Sequence, residues 1–364
     1  MPRTFDSRTR RRKKQRTRGY LILASLFLVF ALIVAAFVWL VCISVDALTV
    51  PDYPAPDELD PLPVPTTTAY PTLNADETAG KISMNNVILY DATHDTVLYE
   101  QNADQQAYPA STTKLLTAIL ACQYGDPNAT YTIGTEQDYV VWDASRAFLE
   151  EGVEYSFSDM LDGLLLPSGA DAAYCLAVNV ARRHESNPNL SDEEAIKTFV
   201  GYMNDYAASL GCTDYHFVTP DGYHDENHYC TARDMLKISQ NALLFPEIRR
   251  SVSSATNEQG GWTNGNALVV PDSGFYYEYA TGLKTGTTPE AGFCLASCAE
   301  RNGVQLIAVV FMSDNPDARF TDSQTLFEQG FYLAEHLPTT AVPRLFNYLT
   351  TAAPTEPTEA NPAA

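Results

Sequence analysis

Twenty-seven consecutive residues, Gly19 to Val45, carry no charge and are almost wholly apolar. The run exceeds the ~20 residues that a helix needs to cross a bilayer, so residues 19–45 read as a transmembrane anchor. Nine Lys/Arg and a single acid, Asp6, precede it within residues 1–18. Positive charge on that flank keeps the tail cytoplasmic and sends the C-terminal bulk of the chain across the membrane. A cleaved signal peptide is the alternative. Its apolar core, however, is only ~7–15 residues long, and no small-x-small cleavage site comes after the run here. The expected topology is a single-pass protein of the cell membrane with its bulk on the extracytoplasmic side.

Residues 46–78 are rich in Pro, Thr and Asp, without helical or alternating periodicity, and read as an extended spacer. Residues 339–364 form a second Pro/Thr/Ala-rich tail. Between them, residues 79–338 are enough for one large domain or two closely joined lobes. Removing the basic tail's net +8 from the chain's −22 leaves −30. Such acidity argues against a nucleic-acid partner, and topology already explains the arginine cluster.

Three short stretches carry the chemistry: Ser111-Thr112-Thr113-Lys114, Ser168-Gly169-Ala170 and Lys284-Thr285-Gly286. The first reads as the opening of a helix, where residues three apart share a face, so Ser111 Oγ and Lys114 Nζ can meet. A serine is a poor nucleophile until a base takes its proton, and a desolvated lysine can be that base. Free N–H groups at a helix start suit the negative charge of acyl transfer. Alone, S-x-x-K is weak: Ser111 as an N-cap and Lys114 as a solvated lysine is the ordinary reading. Its ordered company changes this. Ser168 lies between an apolar helix end and a second helix start, and Lys284 lies on a strand, which matches the serine acyl-transfer pattern.

The chain resembles the serine D-alanyl-D-alanine carboxypeptidases, the low-molecular-mass penicillin-binding proteins of peptidase family S11. The likeness covers about residues 80–332. It includes Met160-Leu161-Asp162-Gly163-Leu164-Leu165-Leu166-Pro167-Ser168-Gly169, Phe199 to Asn204, Thr219-Pro220-Asp221-Gly222-Tyr223, Thr231-Ala232-Arg233-Asp234-Met235 and Ala291-Gly292-Phe293, in the family's order. One position departs: the middle motif usually ends in Asn, and Ala170 stands there. The resemblance implies a substrate, the peptidoglycan stem peptide ending in D-Ala-D-Ala, and β-lactams as covalent inhibitors. It implies Ser111 as nucleophile, Lys114 as base and Ser168 as proton relay. Lys284, Thr285, Gly286 and Thr287 would bind the substrate, with the N–H groups of Ser111 and Thr287 as oxyanion hole. No metal or organic cofactor is implied. A β-lactamase and a catalytically weak wall-binding protein are the rivals; no Glu-x-x-Leu-Asn segment of the class A type occurs between the second and third motifs.

Pattern alone predicts a hairpin of Val87–Asp91 and Thr96–Glu100. Helices are expected at Ser111–Tyr124, Ser158–Leu166, Ala170–Arg182, Asp192–Leu210 and Thr231–Leu244. Strands Phe293–Ala299 and Val304–Met312 would join through Asn302-Gly303, and a last helix would run from about Asp322 to Glu335. Strands at both ends around a helical middle give an α+β class, an antiparallel sheet with a helical lobe. The resemblance sharpens this to the β-lactamase/penicillin-binding transpeptidase-like fold. His224-Asp225-Glu226-Asn227-His228 invites a metal reading but comes after a turn signal, so a polar surface loop is expected. Asp171 reads as a helix-start acid. Export permits disulfides, and Cys212 with Cys230 would close a loop of ordinary size; buried free thiols are the alternative.

Overall fold

A computed structural model describes Leu73 and residues 81–257 and 259–335. The chain divides into two units, Met1–Thr68 and Ala69–Ala364, and all of the described residues belong to the second. The expected cytoplasmic tail, anchor and C-terminal tail, and the spacer apart from Leu73, lie outside the described residues. Among the described residues no helix is long and apolar enough to cross a membrane.

One five-stranded antiparallel sheet organises this unit. Its strands are β1 (Asn86–Asp91), β2 (Thr96–Gln101), β7 (Ala280–Thr288), β8 (Gly292–Arg301) and β9 (Val304–Ser313), in the order β2-β1-β9-β8-β7. Four short strands form two small ribbons: β3 (Thr130–Thr132) with β4 (Glu154–Ser156), and β5 (Thr256–Asn257) with β6 (Trp262–Thr263). The Asn-Gly signal is realised between β8 and β9, where Asn302 and Gly303 both take positive φ, 52° and 79°.

Central strands are apolar on both faces because both faces are covered. On β9, Leu306, Ala308 and Val310 join a cluster with Leu326, Phe327 and Phe331 of the last helix, while Ile307, Val309 and Phe311 face the helical lobe. That alternation is the two-residue period of a strand buried twice over.

The lobe comprises α1 (Lys114–Tyr124), α2 (Phe157–Leu165), α3 (Ala170–His184), α4 (Asp192–Ser209), α5 (Ala232–Ala242) and α6 (Pro246–Ser253); α7 (Ala318–Glu335) covers the opposite sheet face. Every residue of α1 from Lys114 to Ala121 is buried. It has no polar face because the other helices and the sheet surround it. Truncating Ile119 to Ala would cost ~2–5 kcal/mol. The acidic start expected before α4 is a full capping box of Ser191 and Glu194.

Sequence patterning missed α6, although Pro246 stands at its first turn. It also started α7 four residues late. Ser111 does not begin an α-helix: Ala110–Thr113 is a 3-10 turn, and α1 starts at Lys114. All six described cysteines are free thiols, so Cys212 and Cys230 are not bridged.

Candidate active site

The 3-10 turn forms because Thr112 is drawn back onto Pro109: its N–H and its hydroxyl both donate to the Pro109 carbonyl, at 3.2 and 2.7 Å. Ala110 is held at φ 48°, a left-handed conformation unusual for a residue with a Cβ. Ser111 is thereby lifted toward the cleft at the head of α1. Lys114 Nζ lies 2.9 Å from Ser111 Oγ and donates to the Asp221 carbonyl at 2.7 Å. The lysine is only 1% exposed. Burial pushes its ammonium down to about 8, partly offset by Asp221 and Asp171. A serine hydroxyl therefore touches an amine whose lowered proton affinity suits a general base.

Strand β7 crosses directly over this turn. A Cβ at Gly286 would sit 2.7 Å from the Pro109 carbonyl oxygen and 3.2 Å from Ser111 N, so only glycine allows the approach. Lys284, also 1% exposed, donates to the Thr285 carbonyl at 3.1 Å and lies 3.5 Å from its hydroxyl. Burial holds it well below the ordinary lysine range, and the nearby cations Lys114 and Arg319 push in the same direction.

Ser168 sits at φ 67° in the loop between α2 and α3, and its buried Oγ has no hydrogen-bond partner. The loop is tied toward β7 through Gly265, whose N–H donates to the Leu166 carbonyl at 3.0 Å, and whose Cα side faces Thr285 Oγ1. Gly169 is required as well: a Cβ there would meet Asp171 Oδ1 and the Gly163 carbonyl, each at 2.6 Å. Ala170 points into a small apolar cluster with Val140 and Tyr174.

A cavity of about 210 Å³ opens over Ser111, Lys114 and Thr287, with Asp143, Tyr223 and Glu290 on its rim. The remaining expected residues, Ser168, Lys284, Thr285 and Gly286, do not line it.

Sequence reasoning missed Arg319. From α7 its Nη1 donates to Thr287 Oγ1 at 2.9 Å and lies 3.4 Å from the Gly286 carbonyl, while its guanidinium covers the rings of Phe293 and Phe320. No local signal marks an arginine that reaches the site only by the packing of α7 on the sheet. Asp171 does more than begin a helix. Its carboxylate accepts from Ala147 N at 2.8 Å, Leu149 N at 3.1 Å and Ala172 N at 3.0 Å, and so clamps the cavity loop to α3. The expected polar surface loop needs correction at one end: His228 is buried. Among the described residues no group of three or more His, Cys, Asp or Glu is placed to hold a metal ion.

Residues 72–315 match the family Peptidase S11, D-alanyl-D-alanine carboxypeptidase. The chain belongs to this family. Among its relatives is a D-alanyl-D-alanine carboxypeptidase of Streptomyces sp. (strain K15), 32% identical over 65% of this chain and 84% of that one. The D-alanyl-D-alanine carboxypeptidase DacF of Bacillus subtilis (strain 168) is 28% identical over 70% of this chain, which spans 63% of that longer protein. The crystal structure of the Streptomyces K15 DD-transpeptidase superposes with a TM-score of 0.62 at 32% identity, over 69% of this chain and 98% of that one. The S11 fold is thus shared, and the helical lobe plus antiparallel sheet is the penicillin-binding arrangement. This family member is a serine-type D-Ala-D-Ala carboxypeptidase in class.

Proposed function

We propose that the protein removes the terminal D-Ala from peptidoglycan stem peptides through an acyl-enzyme on Ser111. The observation that carries this reading is the 2.9 Å contact between Ser111 Oγ and a buried Lys114 whose ammonium is lowered to about 8. Neutral Lys114 takes the Ser111 proton as Oγ attacks the carbonyl of the penultimate D-Ala. The N–H groups of Ser111 and Thr287 hold the resulting oxyanion. The C–N bond then breaks, and the departing amine of D-Ala receives that proton from Lys114 through Ser168. Water attacks the ester as Lys114 takes its proton, the acyl C–Oγ bond breaks, Lys114 returns the proton to Ser111 Oγ, and the shortened peptide leaves.

Lys284, Thr285 and Thr287 bind the terminal carboxylate, with Arg319 adding a second cation at Thr287. Gly286 serves by closeness, letting the strand approach the serine turn. A free carboxylate would supply the anion that Lys284, held toward its neutral form, needs to carry its charge. Residues 19–45 anchor the chain in the cell membrane, with the S11 domain on the extracytoplasmic side. No nucleic acid takes part.

The test is covalent. A penicillin should add its mass to the intact protein, with the adduct mapping to Ser111, and Ser111→Ala should abolish it. Undiminished labelling of that variant would overturn the assignment. The superposable Streptomyces structure is that of a DD-transpeptidase, which favours a second reading with an amine in place of water as acceptor. An amine-capped product formed in the presence of a glycyl peptide would establish it.

A further inference from the structure

His228 is a buried imidazole that the chemistry above does not use. Its ring is 2% exposed and stands edge-on to Phe217, with centroids 5.4 Å apart. Two backbone N–H groups point at Nδ1: Val218 at 3.1 Å and, more weakly, Thr219 at 3.4 Å. Nδ1 must therefore carry the lone pair, which places the proton on Nε2. That N–H then donates to Thr113 Oγ1, 2.9 Å away. One ring thus joins the loop 218–222 to the residue immediately before Lys114.

The same loop presents its carbonyls to α1. Thr117 Oγ1 donates to Pro220 O at 2.5 Å, and Lys114 Nζ donates to Asp221 O at 2.7 Å. Gly222 closes against the turn so tightly that a Cβ would lie 2.0 Å from the Ala110 carbonyl oxygen. A lysine amine on a four-carbon stem has no fixed position of its own; its acceptors fix it. For Lys114 these are Ser111 Oγ and a loop carbonyl, and the loop is held by the imidazole.

We propose that His228 is a positioning residue, a strut that ties the 218–222 loop to the serine turn and so keeps Lys114 Nζ on Ser111 Oγ. The proposal rests on the reading of Lys114 as the base. Burial lowers the imidazole to about 4, with Asp221 and Asp225 opposing that shift and His216 and His224 adding to it. The ring is then neutral wherever the enzyme works, as an acceptor for two N–H groups must be.

The experiment is rapid-mixing acylation of the full-length protein by a chromogenic cephalosporin, separating the acylation rate from the affinity of the non-covalent complex across pH. In His228→Ala the acylation rate should fall about 10- to 100-fold while that affinity moves less than about 3-fold, because the defect lies in the base and not in the cleft. The midpoint of the acid limb, expected near 8 in the wild type from the lowered Lys114, should move up by roughly one pH unit as water reaches Lys114. His228→Asn keeps an acceptor facing the Val218 and Thr219 N–H groups and should recover most of the rate. Thr113→Val cuts the other end of the strut with little change of volume, and should lower the rate several-fold even if His228→Ala does not fold. An unmoved rate and midpoint in His228→Ala would overturn the proposal. So would equal losses in the Ala and Asn variants that track their melting temperatures. A wild-type profile with no inflection near 8 would instead remove Lys114 as base, and the strut with it.

Discussion

Two lysines, each 1% exposed, stand one at the head of α1 and one on β7, and their surroundings differ. Lys114, at the head of α1, has a serine hydroxyl and a loop carbonyl as partners, and the acids Asp221 and Asp171 partly offset its desolvation. Lys284, on β7, has only the carbonyl and hydroxyl of its neighbour Thr285, and two further cations face it. Lys114 is therefore poised near neutrality, able to gain and lose a proton in turn. Lys284 is held toward its neutral form, and an anion brought beside it would restore its charge. Burial alone does not make a base; the partners that remain after burial decide which way a lysine is used.

The sharpest break of this comparison is at Lys114's partner. Ser111→Ala should leave no acylation by penicillin and no peptide turnover, read by intact mass and D-Ala release. On the Lys284 side, Lys284→Met or amidation of the substrate's terminal D-Ala should lower kcat/KM by about 30- to 1000-fold, since either leaves a desolvated group unpaired. Equal hydrolysis of amide and free acid would end the carboxylate role. Ser168→Ala should cost on the order of 10²-fold, measured as kcat, if its unpartnered hydroxyl relays the proton.

Acylation should also track the Lys114 titration. The neutral amine is the active form, so the rate should rise about tenfold per pH unit below 8 and level off above it. A profile flat from about pH 6 to 9 would remove Lys114 as base. The smallest effect is expected at Ala170. Its Cβ packs with Val140 and Tyr174, so Ala170→Asn brings an amide against an apolar cluster. It should change kcat/KM by less than ~10-fold and lower the melting temperature by a few degrees, in line with the ~1–3 kcal/mol cost of a poorly paired polar group.

Much of this was legible in the chain. The three motifs placed Ser111 beside Lys114 and Lys284 on a strand, as the structure has them. Local spacing was enough for the first because Ser111 and Lys114 lie one turn apart, whatever the turn's type. Asn302-Gly303 likewise needed only its own dihedral preferences, and the Ser191/Glu194 capping box only its own side chains. The C-terminal strands were readable because burial on both faces leaves an unbroken apolar run.

Other features were settled by packing between segments distant in sequence. Arg319 reaches Thr287 because α7 crosses the sheet, and nothing near residue 319 encodes that meeting. Asp171 became a clamp for the cavity loop, and His228 a buried strut, through contacts with residues more than twenty or a hundred positions away. Gly286 is glycine because another segment's backbone passes 2.7 Å from where its Cβ would stand. The chain's own residues specify a serine and a lysine one turn apart and the local turns that present them. How far each buried lysine's proton affinity falls depends on packing, because desolvation and charged neighbours come from segments that the fold brings together.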